Sequence, residues 1–241
     1  NDQYRKGHIP GARYAHLDED LSSPVQSETG RHPLPDPTVL ADKLSTWGVG
    51  ADTRVVAYDD VGGAFAVRLW WLLRWLGHER VAVLDGGWQA WTQAGLPLQE
   101  TAAPEVETVS FKGSADWRQV VLRRGENRLQ LIDARTRERF RGDAEPIDPI
   151  AGHIPGAINL PLQDNLENDG SFKTADTLHA MYVDAFAGQP PDSMVAMCGS
   201  GVTACHNLLA MEVAGLHGGR LYAGSWSEWI RDPGRPVATG D

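Results

Sequence analysis

The stretch SMVAMCGSGVTACHNLLAMEVAG, residues 193–215, predicts a strand, a glycine-containing loop and a helix in direct succession. Its first residues form a short apolar run, which is typical of a buried strand. From Val202 onward the apolar residues recur with helical spacing, and the pattern ends at Gly215, a residue suited to a helix C-cap. Cys198 therefore lies where a strand ends and a loop leads into a helix.

The same pattern occurs earlier in the chain, as RVVAYDDVGGAFAVRLWWLLRWLG at 54–77. Two flanking motifs are also repeated. GHIPGA at 7–12 returns at 152–157, and LDGGWQAW at 84–91 has a counterpart in YAGSWSEW at 222–229. Because the repeat is long enough for a whole domain, the sequence predicts two tandem α/β domains, each a mainly parallel sheet flanked by helices.

The stretch ETAAPEVETVSFKGSAD, residues 100–116, is rich in small, acidic and turn-favouring residues, as extended linkers are. We therefore place the N-terminal domain at 1–99 and the C-terminal domain at 117–241. The first half opens almost on its GHIPGA motif and lacks a counterpart of the apolar run LQLIDA at 129–134. This difference, together with the missing initiator Met, predicts that the native N-terminus is absent.

Composition narrows the class of protein. The net charge of −10 argues against binding to nucleic acid or to anionic lipid, and no apolar run is long enough to cross a membrane. The two cysteines, Cys198 and Cys205, have neither metal-ligand spacing nor a layout suited to a disulfide. These features favour a reducing compartment, and we expect the cytoplasm.

Cys198 has the surroundings of a reactive thiol. Parallel α/β sheets place their ligands at the carboxyl ends of strands. Gly199 and Gly201 allow backbone N–H groups to turn inward as an anion-binding nest before the helix, where a thiolate is favoured. The alternative is a cysteine that packs as a small apolar residue, but glycines on both sides of Ser200 favour a nucleophile. Cys205, within the helical pattern, is predicted to pack.

The position matching Cys198 in the first half is Asp59, in YDDVGGAFA, where the loop has one additional residue. A carboxylate cannot carry out the sulfur chemistry of a thiol. The first domain is therefore predicted to be catalytically inactive.

These motifs resemble the tandem-domain members of the rhodanese superfamily of sulfurtransferases. The resemblance lies in the repeated GHIPGA, in DARTRERF at 133–140, in GSWSEW at 224–229 and in CGSGVTA at 198–204. It implies an inactive first domain, an active second domain and a cysteine that alternates between thiolate and persulfide without a cofactor or a metal. It also implies a small anionic sulfur donor and an acceptor that is cyanide, a thiol or a thioredoxin-like protein.

The loop sequence points to the donor. Thiosulfate-using members resemble CRKGVTA, with two cations, whereas CGSGVTA is similar to the 3-mercaptopyruvate sulfurtransferases. Ser200 brings a hydroxyl that can hydrogen-bond a carbonyl oxygen or relay a proton. Arg139 matches the family arginine that reaches into the active site, and its guanidinium suits a carboxylate. The predicted donor-binding residues are Arg139, Gly199, Ser200, Gly201, Val202 and Thr203, and thiosulfate remains the alternative donor.

One position departs from the resemblance. Mercaptopyruvate enzymes have a further arginine shortly before the second GHIPGA motif, whereas this chain has Ile147 there. Arg141 is a candidate replacement. Arg135, directly after the strand, is predicted to be structural.

The histidines of the repeated motif, His8 and His153, are predicted to make structural hydrogen bonds. His8 is also a candidate for a relay with the loop serine, as proposed in the family, and His206 needs no special role.

Two other classes of protein are alternatives to a sulfurtransferase. Phosphatases of this architecture need an arginine that closes the cysteine loop, and Ala204 stands there instead. A noncatalytic sulfur-carrier or binding module remains an alternative, which turnover of a small donor would distinguish.

Overall fold

The computed structural model describes residues 2–121 and 129–241, which form two compact units. Unit 1 contains the residues up to Ser23 and Leu34–Ala115. Unit 2 contains Asp116–Asp241 together with Pro24–Pro33, a stretch that we call the crossing segment. The crossing segment comes from the first half of the sequence but packs with the second.

Unit 1 is built around a pair of parallel strands. Its helices and strands are α1 (Asp2–Lys6), α2 (Pro37–Thr46), β1 (Val55–Ala57), α3 (Ala66–Trp75), β2 (Val81–Val83) and α4 (Gly87–Gln93). In the strand pair, Val55 lies opposite Val81. Asp36 caps α2 by accepting backbone N–H groups, and Pro37 suits the first helical position because it needs no hydrogen-bond donor there.

Helix α3 contributes many of the buried residues of unit 1. Its buried positions are Ala66, Val67, Arg68, Trp70, Trp71, Leu72, Leu73 and Trp75. The rings of Trp71 and Trp75 stack with centroids 5.8 Å apart. The tryptophans of this helix are therefore part of the core of unit 1.

Unit 2 contains the larger sheet. Its helices and strands are β3 (Val120–Val121), β4 (Gln130–Asp133), α5 (Arg137–Arg141), β5 (Ile158–Asn159), α6 (Ala175–Phe186), β6 (Met194–Met197), α7 (Ala204–Val213), β7 (Arg220–Tyr222) and α8 (Ser225–Trp229). Short 3-10 helices cover Trp117–Gln119, Leu162–Asn165 and Pro191–Ser193.

Among the described residues of unit 2, five strands pair in parallel, in the order β3-β7-β6-β4-β5. Strand β6 lies in the middle, with all four residues buried, between β4 and β7. One apolar cluster of unit 2 comprises Val121, Leu131, Ile154, Val195, Met197, Tyr222, Trp226 and Trp229. The central strand β6 is thus buried and paired on both sides, and Cys198 is the residue that follows its carboxyl end.

The predicted fold class is confirmed, because each unit combines parallel strands with helices in the predicted order. The compact units nevertheless divide the chain differently from the predicted boundaries. The crossing segment belongs to unit 2, and most of the stretch proposed as a linker packs with unit 1. There, Val109 N–H donates to Ser45 O at 3.1 Å and Ser114 N–H donates to Leu76 O at 3.1 Å.

Within the described parts of the chain, no helix has the length and apolar character needed to cross a membrane. The same residues contain no group of three His, Cys, Asp or Glu side chains able to hold a metal ion.

Candidate active site

Cys198 directly follows the central strand β6 and is only 1% exposed. Its backbone N–H donates to Ser225 Oγ at 3.1 Å, and its carbonyl accepts the N–H of Trp226 at 3.0 Å. The cysteine is therefore held between the end of β6 and the first turn of α8.

Two backbone N–H groups point at the sulfur. Ser200 N–H lies 3.4 Å and Gly201 N–H lies 3.1 Å from Cys198 Sγ. Gly201 has φ +79°, and a β-carbon there would clash with the Ala223 carbonyl, so the turn requires glycine. Inward-facing N–H groups in front of a helix are donors to anionic groups, so this nest suits an anionic ligand at the position of the sulfur.

The other predicted loop residues lie around this nest. Val202 is buried at 3% exposure, and Thr203 is the N-cap residue of α7 without a side-chain capping bond. Cys205 is fully buried in α7, with its thiol 3.5 Å from Gly201 O. Its surroundings agree with the packing role expected for it.

Two guanidinium groups approach the loop at Gly199. A β-carbon at this glycine would lie 2.8 Å from Arg31 Nη2 and 3.5 Å from Arg139 Nη2. Arg139 was predicted from the sequence, but Arg31 was not. Both carry positive charge to a loop that has none of its own.

Two buried carboxylates hold these arginines in place. Arg139 Nη2 lies 2.7 Å from Glu145 Oε1 and 3.1 Å from Asp148 Oδ2, and Arg31 pairs with the other oxygen of Asp148. Burial, and after it the charge of Arg139, lowers the pKa of the Arg31 guanidinium, whereas Cys198 acts in the opposite direction.

Arg135 is more deeply buried than Arg31 and Arg139. Its guanidinium pairs with Asp133 at 2.7 Å, donates to Gly152 O at 2.8 Å and lies 4.8 Å from the centroid of the Trp226 ring. These buried contacts agree with the structural role expected from its position after the strand.

The crossing segment also brings a histidine to the loop. His32 Nδ1 lies 2.7 Å from Ser200 Oγ, within hydrogen-bonding distance. His8, the residue considered for this relay from the sequence, instead has Nδ1 2.8 Å from Tyr4 O and stacks on the Tyr4 ring at 3.8 Å. The relay candidate is therefore His32, and the contacts of His8 are those of a structural histidine.

Arg141 does not replace the missing family arginine. Its guanidinium pairs with Asp143 at 3.3 Å and with Asp241 at 3.2 Å rather than with the loop. Ile147 is 58% exposed. The candidate replacement was wrong because nearby carboxylates engage Arg141, and the second cation over the loop comes from Arg31.

Sequence reasoning missed Arg31 and His32 because they lie in a stretch without helical or strand periodicity. Their only local signal is two basic or titratable side chains between Gly30 and Pro33. A loop of this kind is where binding residues concentrate, but nothing in the sequence assigns it to unit 2.

Comparison with known proteins gives a consistent result. The rhodanese-like domain family matches residues 1–94 and 116–232. A Pseudomonas aeruginosa protein named "Probable 3-mercaptopyruvate sulfurtransferase" is 52% identical over 99% of this chain and 86% of its own length. Mouse thiosulfate sulfurtransferase is 35% identical over 95% of this chain and 79% of its own length.

A solved structure agrees with these relatives. The 3-mercaptopyruvate sulfurtransferase from Leishmania major superposes with a TM-score of 0.86 at 32% identity. The match covers 96% of this chain and 67% of that one. The repeated domains, the cysteine nest and these relatives together lead to one conclusion: the chain belongs to the rhodanese family of sulfurtransferase enzymes.

Proposed function

We propose that this protein transfers sulfur from 3-mercaptopyruvate to a thiol, to cyanide or to a thioredoxin-like protein, through a persulfide on Cys198. The observation that carries the proposal is the nest of Ser200 and Gly201 N–H groups aimed at Cys198 Sγ. The same donors would hold a persulfide anion after sulfur uptake. The CGSGVTA loop and the relatives named for mercaptopyruvate support this choice of donor.

In the first half-reaction, the Cys198 thiolate attacks the thiol sulfur of the donor. An S–S bond forms with the electron pair of the thiolate. The C–S bond breaks, and its electron pair remains on carbon as the enolate of pyruvate. The donor thiol contributes the hydrogen of the persulfide, and loss of that proton to solvent leaves the persulfide anion. Protonation of the enolate yields pyruvate.

Ser200 and His32 are suited to supply that proton. Their contact of 2.7 Å places an imidazole behind a hydroxyl, and that hydroxyl belongs to the cysteine loop. We propose that Ser200 passes its hydroxyl proton to the enolate and takes a proton in turn from protonated His32. Thiosulfate releases sulfite without needing a proton, so the pair would matter much less for that donor.

In the second half-reaction, the acceptor attacks the outer sulfur and releases the Cys198 thiolate. The chemistry uses this chain's own side chains and backbone, and it predicts ping-pong kinetics. We place the protein in the cytoplasm, where thiol acceptors are abundant and its two cysteines stay reduced.

Intact-mass measurement after addition of 3-mercaptopyruvate tests the proposal. The wild type is expected to gain one sulfur atom and to lose it when cyanide is added. Cys205→Ser is the matched control and should gain the same mass, whereas Cys198→Ser should gain none. Sulfur uptake by Cys198→Ser would refute the assignment.

Thiosulfate is the second candidate donor. Two guanidinium groups near Gly199 could hold its sulfonate-like end, and a named thiosulfate sulfurtransferase is among the relatives. Comparison of kcat/KM for the two donors on one preparation decides between them.

A further inference from the structure

The crossing segment holds Arg31 in a defined position on unit 2. Its backbone N–H donates to Ser227 Oγ at 3.0 Å. At the preceding Gly30, a β-carbon would lie 2.5 Å from the Gly224 carbonyl, so only glycine allows this approach. The segment is therefore built to lie against the first turn of α8, whose Ser225 hydroxyl binds the Cys198 backbone.

The guanidinium groups of Arg31 and Arg139 lie side by side because they share one carboxylate. Asp148 Oδ1 pairs with Arg31 Nη1, and Asp148 Oδ2 lies 3.1 Å from Arg139 Nη2. The Asp148 side chain is only 3% exposed. It acts as a fixed spacer that keeps two positive groups together near Gly199, despite their mutual repulsion.

Arg31 and Arg139 are more exposed to solvent than Cys198. The side chains of Arg31 and Arg139 are 29% and 15% exposed, whereas Cys198 is 1% exposed. The two guanidinium groups are therefore more accessible to an anionic donor than the sulfur is. Because the thiolate itself repels a carboxylate, a cation beside it is needed to hold such a donor.

We propose that Arg31 and Arg139 together bind the carboxylate of the sulfur donor over Gly199, and that Arg31 sets the preference for donors that carry a carboxylate. The donor class is a small 2-oxo acid with a thiol on the neighbouring carbon. This inference rests on the proposed function for its donor, but the carboxylate site itself can be measured without sulfur transfer.

The test uses two alkylating reagents of similar size, iodoacetate and iodoacetamide, which differ in carrying or lacking a carboxylate. Each forms a C–S bond at Cys198 and releases iodide. In a Cys205→Ser background, Arg31→Met is expected to lower the ratio of the iodoacetate rate to the iodoacetamide rate about tenfold. Arg31→Lys keeps the positive charge but loses the pair of N–H donors of the guanidinium, so it should lower the ratio less than Arg31→Met does. The KM for mercaptopyruvate should rise in the same order.

Arg137→Met is the matched control. Arg137 lies in the same unit, is 63% exposed and pairs with Asp164, so its loss should leave the ratio unchanged. Circular dichroism checks the fold, and Arg31→Gln, which keeps an N–H group toward Asp148, replaces Arg31→Met if that variant does not fold. Equal slowing by both reagents would show that Arg31 only shapes the loop, and would overturn the inference.

The two proposals fail in different ways. If wild-type Cys198 takes up no sulfur while Arg31→Met still loses its iodoacetate preference, the carboxylate site stands and the transferase proposal falls. If sulfur uptake is normal and the reagent ratio is the same in wild type and Arg31→Met, the inference about Arg31 falls and the proposed function stands.

Discussion

The loops after β1 and β6 build the same kind of nest around two different side chains. In unit 1 the Asp59 carboxylate accepts four backbone N–H groups at 2.8 to 2.9 Å. In unit 2 the Cys198 sulfur accepts two, at 3.4 and 3.1 Å. Both nests aim backbone N–H donors at one side chain, but only the sulfur can act as a thiol nucleophile. The comparison teaches that the nest alone is scaffold and that the side chain it surrounds decides the chemistry.

The backbone around each loop is also matched. Trp88 N–H donates to Asp59 O at 2.9 Å, as Trp226 N–H donates to Cys198 O at 3.0 Å. The residue before each tryptophan has a left-handed backbone, with φ +54° at Gly87 and φ +53° at Ser225. Unit 2 thus places a strained serine where unit 1 has glycine, and its hydroxyl binds the Cys198 N–H.

The repeated histidines show a third match. His8 Nδ1 lies 2.8 Å from Tyr4 O, and His153 Nδ1 lies 2.8 Å from Phe140 O, with each ring stacked on that aromatic residue. Four residues separate the first pair and thirteen separate the second. The additional residues of unit 2 include Glu145 and Asp148, which hold the two arginines of the candidate site.

Cys198→Asp makes the second nest resemble the first, and it should have the largest effect. The carboxylate suits inward N–H groups, so the fold should remain, but turnover should fall to about one thousandth of wild type or less because the nucleophile is lost. Steady-state kinetics with mercaptopyruvate and cyanide measure this. Activity near the wild-type level would break the comparison.

His32→Asn removes the imidazole that contacts Ser200 in the Cys198 loop. The Asp59 loop is predicted to be inactive and needs no proton relay. It should lower kcat/KM for mercaptopyruvate about 100-fold, since proton transfer to the enolate is impaired. The value for thiosulfate should fall much less. His217→Asn, at a 65% exposed side chain paired with Glu212, is the control and should change neither value. An equal loss for both donors would argue against a proton relay.

Asp59→Asn tests whether the first nest is purely structural. Each carboxylate oxygen accepts two N–H groups, so the amide NH2 would leave two donors without an acceptor. The free energy of unfolding of unit 1 should fall by about 2 kcal/mol. Denaturant unfolding measures the change. Unchanged stability would show that Asp59 is not the anion its nest requires.

Ser200→Lys places a positive charge in the second loop, as in thiosulfate-using members of the family. The ratio of kcat/KM for thiosulfate to that for mercaptopyruvate should rise about tenfold, because the ammonium attracts a dianion and the hydroxyl is lost. Parallel assays with both donors give the ratio. A constant ratio would contradict the charge argument.

Ser225→Gly should have the smallest effect, because it relieves backbone strain while removing the acceptor of the Cys198 N–H. We expect a change in unfolding free energy below about 1 kcal/mol and a fall in kcat of about threefold with little change in KM. The reciprocal Gly87→Ser should destabilise unit 1, since a β-carbon there would lie 2.6 Å from Asp59 O. Improved kcat in Ser225→Gly would exclude a positioning role for the hydroxyl.

The local parts of this protein follow from its sequence. The apolar strands, the helix after each loop, the duplicated motifs and the replacement of Cys198 by Asp59 are all encoded in neighbouring residues. Periodicity and glycine placement act over a few positions, so they predict the fold class, the nest and the cysteine within it. Arg139 was found only because its motif resembles that of a known family.

Long-range placement needed the tertiary structure. Arg31 and His32 reach a loop more than 160 positions away, His32 contacting Ser200 at a separation of 168 residues, through a segment with no periodic pattern. Which unit that segment joins depends on the fit of Gly30 and Arg31 against α8, a packing property that no local pattern expresses. The sequence by itself determined the scaffold and the nucleophile. The tertiary structure decided which charges surround it, because charges distant in the chain meet only in the folded unit.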